Sequence, residues 1–134
     1  MKFPSLSLKP PAPVLYASER TFDSTALPGV RFVLHRMSAA RRLDLLSRMG
    51  EFASQLEMLR ASDALDDRVQ AETLRLRIDL EYVRWGLKGL RGIAIDGIPA
   101  EAESLIERGP EALMKEIVDR IRAECELTGE ERKN

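Results

Sequence analysis

The stretch Leu74-Arg75-Leu76-Arg77-Ile78-Asp79-Leu80-Glu81, running on into Tyr82-Val83-Arg84-Trp85-Gly86, decides how this chain is read. Its strict alternation of apolar and charged side chains has the period of a half-buried strand. Leu, Arg and Glu are nevertheless good helix formers, and no Gly or Pro interrupts residues 63–85, so the segment is read as helix. At about 100° per residue, Leu74, Ile78 and Trp85 then fall on one stripe, with Tyr82 at its edge. Leu76, Leu80, Val83 and Leu87 fall on another, nearly opposite. A helix with two apolar stripes has to bury both, and a small single core covers one. The expectation is that Trp85, Leu74 and Ile78 face inward, because a large aromatic contributes most to a small core. Leu76, Leu80, Val83 and Leu87 are then the partner surface. Trp85, the sole tryptophan, also has a second reading as an interface anchor.

Outward from this helix, the chain divides simply. Residues 1–13 carry Pro4, Pro10, Pro11 and Pro13 and read as an extended or flexible arm. Residues 14–134 read as a single helical domain. Val14-Leu15-Tyr16 and Thr21-Phe22 are β-prone, Pro28-Gly29 is a turn, and Val30 to His35 is the best strand, which together predict a small N-terminal β-hairpin. Ser38 is a fitting N-cap for a helix over 39–60, in which Leu45, Met49, Phe52, Leu56 and Leu59 repeat at 4-3-4-3 spacing. Gly50 lies inside it, either to permit a close crossing or merely tolerated. Ser62 or Asp63 caps the second helix, which the short link makes an antiparallel neighbour of the first. Gly86, Gly89 and Gly92 then break the pattern, and 93–97 reads as a short β-turn segment around Asp96-Gly97. Pro99 opens a brief helix ending near Arg108, stopped by Gly109. Pro110-Glu111 starts the last helix, with Met114, Ile117, Val118, Ile121 and Cys125 on one face and a frayed polar tail from Thr128. The fold class is therefore mainly α: about four helices with a small β element.

The chain has 134 residues, 32% of them charged and only 5% aromatic, enough for one domain with a core of aliphatic side chains. Net charge is −1, which gives no general pull toward nucleic acid, and acids interleave with Arg41-Arg42 and with Arg75/Arg77. Residues 1–95 are net basic and 96–134 net acidic, an asymmetry suited to a solvated surface or to steering a partner. The N-terminus lacks the apolar run of a signal peptide and no segment has spanning length, so a cytoplasmic protein without membrane contact is expected.

Catalysis needs a constellation, and the residues do not supply one. His35 is the only histidine and Cys125 the only cysteine. Together they cannot make a structural zinc site. Paired carboxylates such as Asp66-Asp67 and Glu130-Glu131 sit in polar caps and tails. No phosphate loop, dinucleotide fingerprint or nucleophile elbow is present. The expectation is a protein that is not an enzyme and uses no metal or cofactor.

From Val30 to Asn134 the chain resembles the small tail assembly chaperones of tailed phages and prophages. Three features carry the resemblance: Val30-Arg31-Phe32 leading through Met37-Ser38 to Arg41-Arg42-Leu43; Tyr82 to Leu87 followed by Gly89-Leu90, Ile95-Asp96-Gly97 and Pro99-Ala100; and Ser104 to Glu111 leading into the last helix and the tail 130–134. Their order carries more weight than any one of them. The resemblance implies a non-catalytic protein of the host cytoplasm, absent from the mature virion. Its implied partner is the phage tape measure protein, kept soluble during tail assembly, with the tail tube protein as a further partner; a second copy of the chain is the other partner that the outward stripe of the second helix suits. It transfers no catalytic residue. The other readings are a structural neck or adaptor protein of the virion and a small regulatory helical protein.

Overall fold

A computed structural model describes residues 10–133 of the chain. Two strands, β1 (Glu19–Asp23) and β2 (Arg31–His35), form an antiparallel hairpin in which Phe22 pairs with Phe32, the rings stacked 5.5 Å apart. Ser24 closes the connecting loop: its hydroxyl accepts from the Leu27 N–H, and its own N–H donates to the Val30 carbonyl. Val14, Leu15 and Tyr16 do not join this hairpin. They are exposed and outside any strand, because the pairing opposite β2 runs out at Glu19↔His35, after which only an Arg36 N–H to Ser18 carbonyl bond remains. Pro10 to Pro13 of the arm are likewise exposed, and residues 1–9 lie outside the described ones.

Two 22-residue helices follow, α1 (Ala39–Arg60) and α2 (Leu65–Gly86), antiparallel and each about 33 Å long. Ser38 caps α1, its hydroxyl accepting from the Arg41 N–H at 3.2 Å. The start of α2 differs from expectation: its N-cap is Ala64, and Ser62 instead accepts from the Ala64 N–H within the link. The alternating stretch 74–81 is helical throughout.

The glycines after Trp85 do not end ordered structure. Gly86 is the last residue of α2, and the chain passes directly into β3 (Leu87–Arg91), which adds to β2 and completes a three-stranded sheet in the order β1-β2-β3. Of the two readings of Gly50 the structure favours mere tolerance, since a Cβ there would meet nothing; the close crossing is at Gly86, where a Cβ would stand 2.8 Å from Cδ1 of Ile121. Asp96-Gly97 forms the tight turn of a two-stranded ribbon, β4 (Ala94–Ile95) and β5 (Ile98–Pro99), with positive φ at both turn residues. Pro99 is thus the end of a strand and not the start of a helix. Helix α3 (Ala102–Arg108) begins after a capping box between Glu101 and Ser104 and stops at Gly109. Helix α4 runs from Glu111 to Lys133, so the tail beyond Thr128 continues the helix.

The core joins Phe22, Phe32 and Leu34 of the sheet to Leu113, Ile117 and Ile121 of α4, with Leu105 of α3 and Val83, Trp85 and Leu87 at the junction of α2 and β3. Helix α1 contributes one buried residue, Leu45.

Candidate functional site: the open faces of the helical hairpin

The hairpin formed by α1 and α2 divides into two zones. At its base, Leu45, Val83 and Trp85 belong to the core. Beyond the base, from Leu46 to Thr73, no residue is buried. This distal half is nonetheless rich in large apolar side chains. Met49, Phe52, Leu56 and Leu59 are half-buried on the face of α1 that continues from Leu45. Leu46 and Met58 of α1 and Leu65 and Val69 of α2 are exposed, Leu65 by 73% and Val69 by 59%. Between the hairpin and α4 lies an open cleft of about 460 Å³, lined among others by Leu56, Arg60, Ile78 and Val118.

The two stripes of α2 part company along its length. Leu74, Ile78 and Trp85 are buried, as expected of the inward stripe. Asp79 and Tyr82 beside them face α4, where Arg122 reaches both: its guanidinium lies 2.7 Å from the Asp79 carboxylate and 4.8 Å from the Tyr82 ring centroid. On the opposite stripe Leu76 is 57% exposed and Leu80 half-buried, but Val83 is 0% exposed and Leu87 is buried. Val83 and Leu87 therefore cannot belong to the free surface. The physical reason is the short helix α3, which packs at the base of α2 with Arg84 paired to Glu103 at 2.8 Å, and the entry of Leu87 into the sheet. The outward stripe extends instead toward the tip. Leu65, Val69, Leu76 and Leu80 recur at spacings of 4, 7 and 4 and lie within about 60° of arc. Leu65 and Val69 carry the same periodic signal and were legible by extending the stripe one helical half further.

Trp85 is a core residue, 5% exposed. The Arg41 guanidinium lies 4.3 Å from its ring centroid and donates to its backbone carbonyl at the end of α2. Burial lowers the pKa of Arg41, helped by neighbouring Arg48 and opposed by Asp44.

The other chemistry-bearing side chains remain apart. His35 is half-buried at the end of β2, its pKa lowered by burial first and by nearby Arg41. Cys125 is half-buried on α4, and burial pushes its thiol up. Glu116 accepts from the Ser24 hydroxyl at 2.5 Å and from the Thr25 hydroxyl and N–H at 2.7 Å. Burial raises its pKa, and these hydrogen bonds outweigh that and hold it below the usual value. Among the described residues no three His, Cys, Asp or Glu side chains are grouped to hold a metal ion, and no helix is long and apolar enough to cross a membrane. No family model, curated protein or solved structure matches the chain.

Proposed function

We propose that this chain is a non-catalytic binding protein of the tail assembly chaperone type, which holds apolar helical segments of a tape measure protein against its α1–α2 hairpin in the host cytoplasm. The observation that carries the reading is the distal hairpin, where the large apolar side chains of Leu46, Met58, Leu65 and Val69 are exposed. A monomer with no partner gains nothing by presenting them, and apolar faces of this kind receive the apolar face of another helix. The resemblance of residues 30–134 supplies the client class. The charged residues among the leucines, Glu57, Arg60, Asp66 and Arg68, keep such a surface soluble while it waits for a client.

Co-expression with a phage tape measure protein tests this. The intact chain is expected to move the tape measure protein into the soluble fraction. The double change Leu46→Asp and Met58→Asp is expected to leave the far-ultraviolet circular dichroism unchanged, both residues being exposed, and to abolish that effect. A variant that solubilises as well as the parent would remove the hairpin from the mechanism. Finding the chain in purified virions would favour the neck or adaptor reading instead.

A further inference from the structure

We propose that the outward stripe of α2 is the seat of a second copy of this chain, docked antiparallel about a two-fold axis between Glu72 and Thr73. Three observations lead there. The first is the spacing. Leu65, Val69, Leu76 and Leu80 form a 4-7-4 pattern, which is the same read in either direction. Antiparallel docking about its midpoint sets Leu65 against Leu80 of the second copy and Val69 against Leu76, so every apolar residue meets another.

The second is charge. Asp66 and Arg77 are 11 positions apart and so lie within about 20° of each other, on one flank of the stripe. Both are exposed, and among the described residues neither makes an ion pair. In a two-fold antiparallel pair the same flank of each helix meets its counterpart. Asp66 of one copy then stands within about 3 Å along the axis of Arg77 of the other, twice over by symmetry. On the opposite flank Glu72, paired with Arg75 of its own helix at 3.6 Å, stands beside the two-fold axis, about 1.5 Å along the helix from the Glu72 of the other copy, so each carboxylate carries its own arginine into the interface.

The third is access. The stripe is closed at its base, where Val83 is buried and α3 is held by the Arg84–Glu103 pair, and opens through half-buried Leu80 to exposed Leu76, Val69 and Leu65 toward the tip. A parallel partner would bring the two α3 helices against one another. An antiparallel partner sets each body beyond the other's hairpin tip. The overlap, residues 65–80, spans about 24 Å of helix, a small interface that forms reversibly.

Sedimentation of the purified full-length chain, without any client, over low micromolar to near-millimolar concentration tests this. The expected result is a concentration-dependent monomer–dimer equilibrium. Leu76→Asp is expected to leave a folded monomer throughout. Asp66→Arg and Arg77→Asp are each expected to weaken dimerisation about tenfold or more at low salt, and the two together to restore it. A chain that stays monomeric overturns the proposal. So does a dimer indifferent to Leu76→Asp, or one that both single charge changes weaken and the double change fails to restore. The client-binding reading concerns a different readout and stands or falls separately.

Discussion

At Arg41 a single side chain joins α1 to the end of α2. Its guanidinium stacks on Trp85 and donates to the Trp85 carbonyl, one of the orphan acceptors that every helix end leaves. Arg41→Met keeps most of the volume and loses the donor and the charge, so it is expected to cost roughly 1–3 kcal/mol in urea unfolding followed by the emission of the only tryptophan. Arg41→Lys is expected to recover little of this, since an ammonium lacks the planar face that stacks on the indole. Glu116 offers a test of opposite kind, in pH. Its folded pKa lies below the ordinary 4.5, so the stability it contributes is present above that value and is lost as pH falls through the folded pKa. Glu116→Gln is therefore expected to be less stable than the parent at pH 7 and to approach it in acid, as thermal unfolding at a series of pH values would show. Gly50, exposed with open space around it, predicts the reverse effect of most substitutions: Gly50→Ala should stabilise α1 by about 1 kcal/mol in the same urea titration.

At the scale of elements, helical periodicity made the four helices legible, and local turn chemistry fixed the Asp96-Gly97 ribbon and the Gly109 stop. What escaped was pairing. Leu87 to Arg91 contains a glycine and a lysine and has no strand propensity worth the name; it is a strand because β2 offers an edge and Gly86 lets α2 end close against Ile121. Val14 to Tyr16 has the propensity and no edge within reach, and stays out of the sheet. The same cause explains the half-correct reading of α2. Which stripe carries Trp85 inward follows from periodicity, but the burial of Val83 depends on α3, an element that only the tertiary fold brings there. Gly86→Val puts this packing to the test, since a β-branched side chain would have to displace Ile121. It is expected to lower stability by roughly 1–3 kcal/mol and to shift the thermal midpoint down by several degrees.

Over the whole molecule, burial is uneven, and stability should follow it. The sheet, α3, α4 and the base of α2 share one core, whereas residues 46–73 contribute no buried side chain to it and are held chiefly by α1 packing along α2. Regions with few buried contacts open at lower free energy than the global transition. Amide hydrogen exchange is therefore expected in two tiers: protection at Phe32 to Leu34 and Leu113 to Ile121 reporting global unfolding, and faster exchange through 46–73 reporting local opening of the hairpin. A second copy on the α2 stripe would shift the second tier selectively, so raising the protein concentration should slow exchange in 65–80 while the core amides stay unchanged. Uniform protection across both zones would mean that the hairpin folds as one unit with the core, and that its exposed leucines are held as firmly as the buried ones.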